Sequence, residues 1–257
     1  AMILRRVIQH VRKQEWTAIW IDLVIVVLGV FIGIQVANWN EDRASRNAEV
    51  RHLEEIAEDL RGDIATFDLI RKSALYRISA VDYILGETRG MSRPSKLSLP
   101  TGESFDIPVG VDLTPEDRNI LLSRANLVRV TLGNRTGFEA LIGAGGMKTI
   151  RNRQITRQLQ QYFARMDDLV STQSMIRQVR NEGTQLGYPL GLSTLGEMDD
   201  QKLISIVRAS PTYSAYLRTV REWAAIHMAE TDRQKQRAML LLEDINRYLD
   251  KKGSKSP

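Results

Sequence analysis

The sequence predicts an all-α protein: an N-terminal transmembrane helix continuing into an antiparallel helical bundle, with a Pro/Gly-rich loop insertion. Three observations predict it. Residues 19–37, IWIDLVIVVLGVFIGIQVA, form an apolar run in which only Asp22 and Gln35 are strongly polar. Apolar residues then recur every seven positions, at Leu53, Leu60, Phe67, Ala74 and Val81, the period of helices packed nearly parallel. Aromatics are few, at 6%, and Pro occurs only 7 times, a balance that favours helix over sheet.

Residues 1–15 read as a short basic tail carrying Arg5, Arg6, Arg12 and Lys13. The predicted span is 16–39. A helix crosses the hydrocarbon core with about 20 apolar residues. Trp16 and Trp20 stand at one end and Trp39 at the other, where indole rings anchor to the membrane interface. From Trp16 to Trp39 a helix rises about 34 Å at 1.5 Å per residue. Residues 23–34 are apolar all round, unlike a core helix with one wet face. No small-x-small cleavage site follows the run, so it reads as an uncleaved signal anchor. The basic tail places the N-terminus in the cytoplasm of a bacterium, the helix in the inner membrane and the bundle in the periplasm. Arg43, Arg46 and Arg51 on the far flank make that charge bias small.

Within the span, Asp22 stands out, because an ionised carboxylate at mid-membrane costs at least about 2.5–3.5 kcal/mol. It lies about 9 Å along the axis from Trp16, near the cytoplasmic interface. Helical spacing aligns Asp22, Val26, Gly29, Gly33 and Val36 on one stripe. Small residues let two membrane helices approach closely, so the stripe is a candidate association seam. Two alternatives are a lone anchor with incidental glycines and an ion or proton path at Asp22.

Residues 40–250 form the predicted bundle. Its first helix runs to about Gly90, with Ala57, Ile64, Ile78 and Leu85 as the companion row and Arg71 as the exception. A loop insertion follows at 91–113, with Pro94, Pro100 and Pro108 and a short strand pair near 97–99 and 105–109. Thr114-Pro115-Glu116-Asp117 is a helix start, and that helix is expected to reach about Leu132. Thr136 is the expected cap of a short helix ended by Gly145-Gly146. Asn152 opens a long helix to about Glu182, with Ile155, Leu159, Tyr162, Met166, Leu169 and Ile176 as its apolar stripe. A loop is expected over 183–197. Asp199 or Asp200 then opens a short helix, and Ser210-Pro211 the last one. The stripe of the last helix is Leu217, Val220, Ala224, His227, Ala238, Leu242, Ile245 and Leu249. Residues 251–257 read as a disordered basic tail.

Several chemistries are excluded. With Cys at 0 there is no disulfide, thiolate nucleophile or Cys-based metal site. The 3 His, at positions 10, 52 and 227, are far apart, and no HExxH motif occurs. The paired Glu-x-x-His motifs of a di-iron bundle are not met either. No metal and no cofactor are predicted. The net charge of +5 is dispersed, which argues for a mixed-charge surface and against nucleic acid as a partner. Glu54, Glu55 and Glu58 beside His52 lie on the predicted wet face. His227 reads as a core histidine with its hydrogen bonds satisfied. Gly143-Ala144-Gly145-Gly146 lacks the Lys-Ser/Thr of a phosphate loop. One basic cluster resists dismissal: Arg135, Lys148, Arg151 and Arg153, among Asn134, Thr136 and Asn152 at turns and helix starts. It is a candidate contact for an anion or an acidic partner.

The exit of the span, Gln35-Val36-Ala37-Asn38-Trp39-Asn40-Glu41, and the early acid Asp22 resemble a family of uncharacterised bacterial single-pass membrane proteins. That family has an exit of the type Gln-x-x-Asn-Trp-Asn-Glu. Its mid-chain segment resembles Leu141-Ile142-Gly143-Ala144-Gly145-Gly146-Met147-Lys148-Thr149-Ile150-Arg151-Asn152, followed here by Tyr162-Phe163. Ala144 stands where the family has Ser, and Met147 where it has Leu. The resemblance covers the anchor and the centre of the chain, and it implies the architecture without an activity.

The function expected from these features is non-catalytic. A membrane-anchored bundle would act by association, as an accessory subunit, a scaffold or a sensor-like ectodomain. The expected partners are the lipid bilayer and either further copies of the chain or other membrane-protein subunits. The alternatives are an oligomeric conduit using Asp22, and a helical anion-binding enzyme with a polar cavity near Arg135 and Arg151.

Overall fold

The computed structural model describes residues 16–86, 95–99 and 102–253, with side chains from Trp20 to Lys252. The expectations for the tail 1–15, the Trp16 side chain, the first part of the loop insertion and residues 254–257 lie outside the described residues. Among the described residues there are seven α-helices and one two-stranded hairpin. The chain divides into two compact units, 1–51 and 52–257.

In the first unit, helix α1 (Trp16–Gly86) carries the apolar run. Its most apolar eighteen residues have a mean hydropathy of 2.4, and none is buried. By length and composition this helix is able to cross a membrane.

The second unit is built on three long helices: residues 52–86 of α1, α5 (Arg153–Gly187) and α7 (Pro211–Gly253). The seven-residue rows explain the bundle. Leu53, Leu60, Phe67, Ala74 and Val81 are all buried on α1, as are Ile155, Leu159, Tyr162, Met166, Leu169 and Ile176 on α5. On α7 the deepest row is Leu217, Ala224, Thr231, Ala238 and Ile245, every one of them at 0% exposure. Two apolar clusters give the direction of each helix. One joins the early part of the α1 stretch (Leu53, Leu60) to the start of α5 (Leu159) and the end of α7 (Ile245). The other joins the end of α1 (Leu85) to the start of α7 (Leu217). So α7 is antiparallel to α1 and α5, and those two run in the same sense. The segment between them carries the chain back.

That segment holds β1 (Lys96–Ser98), β2 (Ser104–Asp106), α2 (Pro115–Asn119), α3 (Leu121–Asn126) and α4 (Thr136–Gly143). The strands pair antiparallel with Leu97 opposite Phe105, close to the expected positions. Ile107 lies against Ile78, Ala224 and Ala225, so the segment after the hairpin covers the middle of the bundle. Gly110 passes so near α1 that an added Cβ would meet the Ser79 hydroxyl oxygen at 2.0 Å.

Three expectations for this half are corrected. The helix from Thr114 does start as read, in a capping box with Asp117. It does not reach Leu132: it breaks at Ile120 (φ −122°, ψ 31°), resumes as α3 and stops at Asn126. The reason lies in residues 127–135, whose backbone groups are taken by the bundle. Leu127 O accepts from the Ser73 hydroxyl at 3.1 Å, Thr131 N donates to Gln173 Oε1 at 3.0 Å, and Asn134 N donates to Asp63 Oδ1 at 2.8 Å. Those partners replace a helical ladder. Thr136 is not the cap of α4. Its first turn is capped across the bundle by Asp59 Oδ2, which accepts from Gly137 N at 2.7 Å. Gly183 does not begin a loop, since α5 continues to Gly187. A Cβ on Gly183 would sit 1.8 Å from Tyr216 Cζ, so glycine there serves close packing, not chain reversal. Helix α6 (Asp200–Ala209) opens as read, with Asp199 accepting from Lys202 N at 2.9 Å.

Candidate functional site

The bundle interior has a polar floor, and it starts from a third seven-residue row on α1. Ile56, Asp63, Ile70, Arg77 and Ile84 are all within 1% of complete burial. Two charged residues therefore share a row with three isoleucines, and the structure treats them differently.

Asp63 is partnered on both oxygens. Tyr162 donates its hydroxyl to Oδ2 at 2.6 Å, and Asn134 N donates to Oδ1. Burial nonetheless pushes its carboxyl above the ordinary carboxylate range, against the pull of those two bonds. Tyr162 is pushed up by the same burial and by the adjoining carboxylate. This arrangement ties α1, α5 and the returning chain together.

Arg77 is 1% exposed, and its Nε has no hydrogen-bond partner. Burial lowers its pKa to about 10, with the Tyr216 hydroxyl acting the other way, so the guanidinium is charged at neutral pH. Further buried polar groups on α5 and α7 are also under-satisfied. Gln173 Nε2, Thr231 Oγ1 and both ring nitrogens of His227 lack partners. His227 is buried as the sequence predicts, but it is not the satisfied histidine expected. Its pKa is pushed down to about 3, by burial first and then by Arg77, so the ring is neutral. The nearby acid Asp82 is engaged by Arg221 Nε at 2.6 Å.

Arg77 lines a small cavity of about 10 Å³ together with Asn126 on α3, Arg180 on α5, and Tyr216 and Trp223 on α7. That volume is about one water molecule. Tyr216 donates its hydroxyl to Asn126 Oδ1, and Asn126 Nδ2 donates to Leu122 O at 2.9 Å. Burial pushes the Tyr216 hydroxyl up as well, although Arg77 and Arg180 both act to lower it. Among the described residues, the cavity is thus lined by two arginines and by no carboxylate-bearing residue.

The residues singled out from sequence lie elsewhere. Asp22, Val26, Gly29, Gly33 and Val36 are all exposed along α1. At Gly29 and Gly33 an added Cβ would meet nothing within 4 Å. Trp20 and Trp39 are each 62% exposed, with the Arg43 guanidinium 5.7 Å from the Trp39 ring centroid. In the basic cluster, Arg135 is committed to Asp167 and sits over the Phe163 ring at 5.7 Å. Lys148, Arg151 and Arg153 are exposed at the turn before α5 and at its start. Beneath them the core is apolar: Leu141, Ile150 and Ile155, with Phe138 stacked on Phe163 at 3.9 Å. Among the described residues, no group of three or more His, Asp or Glu is placed to hold a metal ion.

Sequence reading missed Arg77, Gln173, Thr231 and Arg180. A signal was available: Arg77 stands seven residues from both Ile70 and Ile84, and Thr231 seven from both Ala224 and Ala238.

Residues 22–89 match a family described as "Family of unknown function (DUF6090)". The match takes in the apolar stretch of α1 and the buried row through Ile84. No curated protein and no solved structure matches the chain.

Proposed function

We propose that this protein is a single-pass, membrane-anchored helical bundle that acts by association and not by catalysis. One observation carries the reading. On residues 20–39 of α1, every large apolar side chain is between 46% and 62% exposed, and no neighbour covers any of them. A soluble protein does not leave so large an apolar surface facing water. Lipid is the environment that removes its cost, and the flanking Trp20 and Trp39 suit the two interfaces.

The stripe of Asp22, Val26, Gly29, Gly33 and Val36 is then the seam for a second copy of the chain. Where Gly29 and Gly33 meet only open space, another helix backbone is able to approach. The basic flank before the span supports a cytoplasmic N-terminus and a periplasmic bundle in a bacterial inner membrane. In this role the bundle is an accessory or scaffolding element whose assembly is set within the membrane.

The particle mass in detergent tests the reading. The full chain is expected to run as a dimer or higher oligomer, and Gly29→Leu with Gly33→Leu to shift it to monomer while the bundle still melts at its usual temperature. A chain dispersed in buffer without detergent would overturn the membrane reading. A monomer before substitution would overturn the seam alone.

A further inference from the structure

We propose that the cavity at Arg77 binds one small monovalent anion of halide size. The inference is independent of the membrane reading, because every residue in it lies within 52–257. Arg77 lies among α1, α3, α5 and α7, and among the described residues no carboxylate lines the cavity that it borders. A guanidinium removed from water needs either an opposite charge or a full set of acceptors. Its Nε has no acceptor, and Asp82, the nearby acid on the same helix, is taken by Arg221. His227 cannot serve as a counter-charge, since it is neutral and its protonation would only add positive charge. Glu230, half-buried on α7, is held near Arg233, and burial pushes its carboxyl above the ordinary range.

The walls select the ligand class. Arg77 supplies a buried donor and a fixed positive charge, and Arg180, partly exposed on α5, supplies a second charge on the wall. The space is about 10 Å³, the room of one water, which excludes phosphate, sulfate and any nucleotide. A neutral water would satisfy the Nε donor but leave the charge uncompensated. Apart from Asn126, the remaining lining residues are aromatic or apolar, Tyr216, Trp223, Val220 and Ile176 among them. Walls of that kind favour a weakly hydrated ion over strongly hydrated fluoride, and the small space places chloride ahead of the larger bromide, which competes for the same site more weakly.

The test uses the full chain in detergent, in gluconate buffer at constant ionic strength, with chloride as the probe. The ³⁵Cl NMR linewidth is expected to show a saturable protein-dependent excess. Bromide should displace it and fluoride should not. Arg77→Met should abolish the excess in a protein that still melts cooperatively. Arg180→Gln should weaken the apparent affinity roughly three- to tenfold by removing the second charge. A linewidth that grows linearly with protein and does not saturate overturns the proposal. So does a saturable excess that survives Arg77→Met, which places the ion elsewhere. Should Arg77→Met fail to fold, bromide competition and Arg180→Gln decide: no competition, with no change in affinity, overturns it.

Discussion

Asp63 and Arg77 make an instructive pair. They lie on one row of one helix, two heptads apart, equally buried, each among isoleucines. Asp63 is met by Tyr162 from α5 and by the backbone of Asn134, so its charge is part of how the elements dock. Arg77 meets no such partner at Nε, and the buried Gln173 Nε2, Thr231 Oγ1 and His227 ring nitrogens are unmatched too. Burial disfavours the charged form of both groups. The difference is that hydrogen bonds offset that penalty only at Asp63. A buried charge with partners reads as structure, whereas one without them reads as a place where something else belongs.

The widest break in that comparison comes from removing the partnered charge. Asp63→Ala leaves the Tyr162 hydroxyl and Asn134 N–H without their acceptor, and it should cost about 2–4 kcal/mol in urea unfolding. Next is the pH dependence of the polar floor. His227 titrates at about 3 in the folded chain and near 6.5 when unfolded. Below pH 6.5 the unfolded state takes up a proton that the folded state refuses. Stability should therefore fall as pH drops from about 6.5 towards 3, by up to about 1.4 kcal/mol per unit. In His227→Phe that acid limb should be flatter, as read by thermal melts across the range. Tyr162→Phe removes one bond and leaves Asp63 its second, so a loss of about 1–2 kcal/mol is expected. The smallest effect has the opposite sign. In halide-free buffer, Arg77→Met should match the parent or gain about 1 kcal/mol, since it removes an uncompensated charge from the interior. A large loss on Arg77→Met under those conditions would mean that Arg77 has a hidden protein partner, and the contrast with Asp63 would disappear.

What was legible in the sequence was whatever repeats or caps. The rows at Leu53 and Ile155, and the starts at Thr114, Asn152, Asp199 and Pro211, rest on local patterns that the structure keeps. The stretch 127–135 was not legible, because its conformation is held by Ser73, Gln173 and Asp63, all distant in the chain. Gly183 was misleading for a related reason. A helix breaker and a glycine that admits Tyr216 look the same until the neighbouring helix is in place. The polar floor was hidden by the search for apolar rows itself. Arg77, Gln173 and Thr231 fall on the rows, but a pattern built from apolar residues passes over them. The stripe from Asp22 to Val36 stands apart from all of this. It was read from spacing alone, and it is exposed along its whole length.

The membrane seam therefore calls for the most direct measurement. Because the chain has 0 Cys, single cysteines introduced one at a time from residue 20 to residue 39 report without background. Oxidation in native membranes should cross-link two copies in a periodic pattern, strong at Val26, Gly29, Gly33 and Val36 and weak at Val24, Val27, Phe31 and Ile34. Cross-linking that is uniform around the helix, or protein that leaves the membrane fraction without detergent, would contradict the account.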